Sequence, residues 1–195
     1  PVIINGELGT GVAGGVCQVS TTVFNAAFEA GLDITERHNH ALYISHYPQG
    51  RDATVNYPDV DLKFVNDTPH WLLLRTFVGS YSLTVGLYGT PVHRKVESTT
   101  APLVTLGAVP LKKTVDPSLQ PGERVVDDYG APAMSTSVTR DVYLPSGKLL
   151  YHDTWYSHYV ASPKLVRIGP KDQPQTTTTS TTTTSTTSST TTQQQ

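Results

Sequence analysis

The sequence predicts an α+β protein: a buried helix packed on a mostly antiparallel sheet, then a small all-β module and a disordered tail. Three observations carry that prediction. Apolar residues from Val19 to Leu32 recur at helical spacing. From residue 53 onward, alternating segments are broken by turn residues such as Gly79-Ser80 and Pro145-Ser146-Gly147. From about Gln173 the chain is threonine, serine and glutamine, with nothing to bury against the entropy of ordering.

Each element has its own local signal. Val2-Ile3-Ile4 reads as a strand already under way, with a turn at Asn5-Gly6, so the chain reads as a piece of a longer protein. Gly11 to Gly15 form a glycine loop before Cys17, the one cysteine. Ser20, Thr21 and Thr22 are good helix-start residues, which sets the helix just beyond the cysteine. Val19, Val23, Ala26, Ala27 and Ala30 give it one apolar face, Phe24 and Phe28 a second, and Gly31 a stop. Pro48-Gln49-Gly50 is a turn. Ala53–Tyr57 and Asp61–Val65 are strand candidates around Pro58-Asp59. His70–Val78 and Tyr81–Tyr88 form a hairpin across Gly79-Ser80, and Trp71–Leu74 predicts a strand covered on both faces. Residues 91–121 read as a linker with short strands at Val92–Val96 and Val104–Val109. From Gly122, Val138–Leu144, Lys148–Tyr156 and Val166–Ile168 make a second β unit. Its Tyr143, Tyr151, Trp155, Tyr156 and Tyr159 form either a sugar-binding face or, the reading we favour, the cover of a small sheet. The expected division is therefore 1–90, 91–121, 122–171 and a tail at 172–195.

Composition narrows the function. A net charge of −2 provides no basic field, so nucleic acid is not an expected partner. A single cysteine excludes an internal disulfide. No apolar run approaches the roughly 18 residues of a membrane span, and any signal or anchor would lie upstream. The three histidines at 38, 40 and 46 lack a second thiol and metal-ligand spacing, so no metal and no cofactor are expected.

Cys17 carries the chemistry. A thiol at a helix start ionises more readily, and the thiolate is a nucleophile. The bland alternative is a small buried apolar residue. A nucleophilic thiol needs a base, and His38 or His40 can supply one imidazole. On an extended strand the two would share a face. Each has the alternative of bonding to backbone in a loop. Arg51 can bind a carboxylate and Asp52 can orient a histidine, or both can be solvated surface charges.

Val2–Leu8, Gly14-Gly15-Val16-Cys17-Gln18-Val19-Ser20-Thr21-Thr22, Glu36-Arg37-His38-Asn39-His40, Gly50-Arg51-Asp52-Ala53-Thr54-Val55 and Asp61–Phe64 together resemble the VanW family, over residues 1 to about 90. Asn39 stands where that family usually has proline. Tyr143…Ser146-Gly147-Lys148…Pro163–Gly169 is more loosely similar to the G-five type of extracellular β module. The resemblance implies a bacterial cell-envelope protein, outside the membrane, acting on peptidoglycan stem peptides or glycan as a cysteine L,D-transpeptidase-like acyl transferase. Cys17, His38, His40 and Asp52 would be its catalytic residues, and Gly14, Gly15, Gln18, Ser20 and Arg51 its substrate-contacting set. The competing expectation is a non-catalytic peptidoglycan-binding or vancomycin-resistance-associated surface module, in which Cys17 only packs.

Overall fold

A computed structural model describes residues 2–4, 7–9 and 15–171, with side chains from 15 onward. The expected turn at Asn5-Gly6, Gly14 and the tail at 172–195 lie outside the described residues. The fold is mostly β, with one helix among the described residues and several small sheets. No helix among the described residues is long and apolar enough to cross a membrane.

The chain begins with a two-stranded ribbon, β1 (Val2–Ile4) and β2 (Glu7–Gly9). The helix α1 spans Val16–Glu29. It starts before the cysteine, not after it. Gly15 is its N-cap at φ 108°, a left-handed angle that favours glycine. Ser20–Thr22 therefore sit inside the helix, and Thr21 turns its hydroxyl to the Ala53 backbone, bonding both N–H (3.0 Å) and C=O (3.1 Å). The predicted stop holds: Gly31 has φ 65°, and Leu32 N–H bonds back to Ala27 C=O at 3.1 Å.

The helix is buried on one side only. Ser20, Thr21, Phe24, Ala27 and Phe28 form the buried stripe, while Val16 and Val19 are exposed. Side-chain volume decides this. The two phenylalanines give more apolar area than the valine–alanine face, so they take the core. No one sheet backs them. Phe24 and Phe28 cluster with Ile34 and Phe64, with Leu72 and Leu87, and with Val96, Val138 and Trp155. These come from three small sheets. The first pairs β3 (Asp33–Glu36) with β4 (Lys63–Val65). The second is the hairpin β5 (Leu72–Val78) and β6 (Leu83–Gly89). The third has the order β12–β11–β7, with β8 also on β11. Its strands are β7 (Lys95–Thr100), β8 (Val104–Thr105), β11 (Met134–Tyr143) and β12 (Leu149–Tyr159).

Three local expectations change. Ala53–Tyr57 forms no strand, only a bridge between Asn56 and Val60. Its backbone is instead tied to α1 and to His38, whose carbonyl accepts Thr54 N–H at 2.9 Å. The Trp71–Leu74 run is not covered on both faces: Trp71 is 95 % exposed and Leu73 56 %. Residues 91–121 hold three strands that join the second β unit: β7 and β8 pair with β11, and β9 (Leu111–Val115) runs parallel to β13 (Lys164–Ile168). β10 (Arg124–Asp128) lies on the other side of β13.

β11 alternates cleanly, with Thr136, Val138, Arg140 and Val142 inward. The predicted turn closes β11 onto β12, with Gly147 at φ 81° and its N–H on Leu144 C=O. Arg140 is wholly buried. Its guanidinium donates to Phe28 C=O (3.2 Å) and Leu32 C=O (3.0 Å) at the helix end, and to Asp153 (2.6 Å). It adds a donor to the last-turn carbonyl of Phe28, which also accepts Gly31 N–H, and to the Leu32 carbonyl just past the helix.

Candidate active site

The site is built from the first turn of α1 and from two later segments that meet it. The first helical bond runs from Val19 N–H to Gly15 C=O at 3.0 Å. The N–H groups of Val16, Cys17 and Gln18 thus have no partner within the helix. Cys17 occupies the second helical position and is half-buried. Its Sγ lies 3.3 Å from Thr54 Oγ1 and 3.6 Å from Val55 C=O.

The second component is the segment after β3. The strand ends at Glu36, so residues 37–40 do not alternate as an extended strand would. His38 and His40 part company there. His38 is half-exposed and pairs with Glu36 at 3.2 Å, which takes it out of the site. His40 is 4 % exposed, and its Nδ1 meets Asp52 Oδ2 at 2.8 Å. The same oxygen accepts the His40 backbone N–H at 2.7 Å. An ionised carboxylate only accepts, so Nδ1 carries the proton and Nε2 is left with the lone pair in the neutral ring. Nε2 is buried and has no hydrogen-bond partner among the described residues. Tyr47 stacks on the ring at 5.5 Å between centroids.

The third component is the turn before Asp52. Gly50 at φ 68° and the Arg51 N–H to Pro48 C=O bond (2.9 Å) make it. Asp52 is 3 % exposed and its other oxygen, Oδ1, is also doubly held. Arg37 Nη2 donates at 2.9 Å and Tyr159 OH at 2.8 Å. Arg37 binds Asp52 C=O (2.6 Å), Gly50 C=O (3.1 Å) and Ser157 Oγ (3.0 Å) as well.

The ionisation of the three groups is set by these contacts. Burial pushes the Cys17 thiol up, but Thr54, the Val55 backbone and the charge of His40 outweigh it, so the thiol sits below its ordinary value. Burial opposes charge on His40. The Asp52 carboxylate, with help from Cys17, reverses that and holds the imidazole above its ordinary value. Burial likewise raises Asp52, while His40 and Arg37 bring it below the usual carboxylate value. Tyr159 is pushed up by burial and by the Asp52 charge, so its hydroxyl stays a donor. Tyr47 is raised by burial and by Cys17, which puts its phenol within the field of the thiol.

The structure joins His40 to Asp52, places Cys17 within the electrostatic influence of His40, and leaves out two other expected residues. Besides His38, Arg51 is taken by the helix: its Nε meets Asn25 Oδ1 at 2.8 Å, its Nη2 meets Glu29 at 2.5 Å, and it lies 4.1 Å over the Phe28 ring. The free guanidinium a substrate carboxylate would need is thus gone. Gln18 is exposed, and its carbonyl accepts Thr22 Oγ1 at 2.7 Å. Ser20 is buried, its Oγ has no partner among the described residues, and it lines an apolar groove of about 390 Å³ with Val16, Val19, Val23, Val55, Asp61 and Leu62. Arg37, Thr54, Tyr47, Ser157 and Tyr159 were not expected. Arg37 and Thr54 sit within blocks already singled out, but the contacts of Ser157 and Tyr159 span more than a hundred residues and leave no local signal. No cluster of three or more metal-ligating side chains is found among the described residues.

The fold and site define a mostly β protein in which a cysteine at a helix start adjoins a carboxylate-held histidine. Residues 1–88 match the model of the VanW family, described as VanW like protein. Over 92 residues the chain is 42 % identical to the uncharacterized protein YoaR of Bacillus subtilis (strain 168), a match that takes in 47 % of this chain and 30 % of that relative's length. Two solved structures are partly similar. The crystal structure of HP0197-G5 is 17 % identical, covers 40 % of this chain and 99 % of its own, and has a TM-score of 0.22. The IgA1 protease G5 domain is 19 % identical, covers 42 % and 100 %, and has the same TM-score of 0.22.

Proposed function

We propose that this chain is a thiol-dependent acyl transferase of the bacterial cell envelope, acting on peptidoglycan stem peptides in the manner of an L,D-transpeptidase. Cys17 is the nucleophile, His40 the general base and acid, and Asp52 the group that orients the imidazole. One observation carries this reading: the buried Nε2 of His40 has no hydrogen-bond partner among the described residues, while its Nδ1 is fixed on Asp52 at 2.8 Å. The substrate class and the envelope location rest on the VanW-family match of residues 1–88.

His40 Nε2 takes the Cys17 proton, and the thiolate attacks the carbonyl after the third residue of a stem peptide. The N–H groups of the first helical turn, which have no partner within the helix, would face the developing oxyanion. His40 returns the proton to the leaving amine, which departs as D-alanine and leaves a thioester on Cys17. An amine of a neighbouring stem attacks the thioester, His40 takes its proton, and the thiol is regenerated with a cross-link formed. The apolar groove beside the first turn suits the aliphatic part of the acyl group. The complete protein, incubated with tetrapeptide-stem muropeptides, is expected to release D-alanine or form dimers detectable by mass spectrometry, and Cys17→Ala to abolish both. Product formation that survives Cys17→Ala overturns the mechanism.

A further inference from the structure

The Cys17–His40–Asp52 group lies within residues matched to the VanW family, yet it is held from outside them. The end of β12 and the residue after it are fastened to the His40 segment and to Asp52 at four successive residues. Ser157 Oγ accepts from Arg37 Nη1 at 3.0 Å. His158 C=O accepts from Asn39 Nδ2 at 2.8 Å. Tyr159 OH donates to Asp52 Oδ1 at 2.8 Å. Val160 N–H donates to Ala41 C=O at 2.7 Å. Ser157 and Tyr159 are inward residues of β12, 0 % and 3 % exposed.

Asp52 must present Oδ2 to the His40 ring and backbone together. An aspartate turns about two side-chain bonds, and it is held in that pose by fixing its other oxygen. Arg37 and Tyr159 fix it, and Arg37 is itself held by Ser157. We propose that Tyr159 is a positioning residue of the candidate site, so that β12, outside the VanW-matched segment, completes a constellation whose three reacting residues all lie within it. This inference rests on the acyl-transfer reading and adds to it a dependence on the second β unit.

The test uses the full chain and its one cysteine. The rate of Cys17 alkylation by iodoacetamide is followed against pH by intact-mass spectrometry, with thermal melts alongside. Tyr159→Phe removes only the hydroxyl. It is expected to slow alkylation near neutral pH on the order of tenfold, as for loss of a hydrogen bond to a charged group, and to move the profile to higher pH. Tyr151→Phe is the control. That residue lies on the same strand, and its hydroxyl donates to Asp67 at 2.6 Å, away from the thiol. Its profile should superimpose on the wild type. A shifted Tyr159→Phe profile with an unshifted Tyr151→Phe profile supports the proposal. Equal shifts in both indicate general loosening and overturn it. An unshifted Tyr159→Phe beside a shifted Asp52→Ala overturns it while leaving the acyl-transfer reading intact. Unshifted profiles in both Tyr159→Phe and Asp52→Ala overturn the two together. If Tyr159→Phe does not fold, Ser157→Ala, which frees Arg37 from the same strand, replaces it and is read the same way.

Discussion

At the scale of single residues, what matters is which proton each group keeps. Asp52 is held below its ordinary value, so its contribution to stability is full above about 3.8 and is lost as pH falls through the depressed folded value. His40 is held above its ordinary value, so its contribution is full below 6.5 and is lost as pH rises through the raised value. The Cys17 thiol, held low, contributes in the opposite sense on the alkaline side. A Cys17→Ser chain removes that opposing titration. Its melting temperature should fall between about pH 6 and about pH 8, and should fall less when Asp52→Asn is added. An equal slope in the double variant would show that His40 is not held by the carboxylate. A helix next to Cys17 was legible in the sequence, although Ser20–Thr22 put its start beyond the thiol and α1 begins at Val16. The choice between His38 and His40 was not. Parity along a strand treats them alike, and only the end of β3 at Glu36 separates them. Arg51 misled for a related reason: a guanidinium next to Asp52 reads as a substrate ligand until Asn25, Glu29 and Phe28 are seen to occupy it.

At the scale of elements, α1 presents its thiol because both of its ends are fixed. Gly31 turns the chain at φ 65°, where an added Cβ would meet Val142 Cγ1 at 2.9 Å and Val96 Cγ2 at 3.0 Å. Gly147 has a similar angle, 81°, with open space around it. Gly147→Ala should therefore cost only the backbone conformation, roughly 1 kcal/mol, and Gly31→Ala distinctly more, about 2–3 kcal/mol. Denaturant unfolding of the two variants checks the difference, and equal losses would refute close packing behind the helix end. The hairpins were readable from alternation and turn residues: β5–β6 and β11–β12 fall where the pattern puts them. The apolar face of α1 was harder to read. Valine, alanine and phenylalanine mark two candidate faces by spacing, and only the volume available beside Trp155 selects the phenylalanines. Short strands were expected at Val92–Val96 and Val104–Val109, but β9 and the pairing of β7, β8 and β9 onto the second β unit were not legible, since their partners lie far downstream.

At the scale of the whole molecule, the helix, the His40 segment and β12 form one interlocked unit. Arg140 ties the end of α1 to Asp153, and Trp155 packs 5.9 Å from Phe24 and 5.6 Å from Phe28. Replacing Arg140 with Met removes a donor from the Phe28 and Leu32 carbonyls and from the Asp153 carboxylate. The expected loss is about 3 kcal/mol or more. Because β12 also carries Tyr159, Arg140→Met should slow Cys17 alkylation as it lowers the melting temperature. A destabilised chain with unchanged alkylation would separate the two halves of the molecule. Such long-range ties are beyond sequence patterning, since periodicity records which face a residue takes and not what it meets. The central claim is that His40, held by Asp52, makes the Cys17 sulfur nucleophilic. It is tested most directly by the pH profile of Cys17 alkylation in the wild-type chain beside His40→Ala. The wild-type midpoint should lie below the ordinary thiol value of 9.0, and His40→Ala should move it upward and slow the reaction near neutral pH. Superimposed profiles would contradict the account.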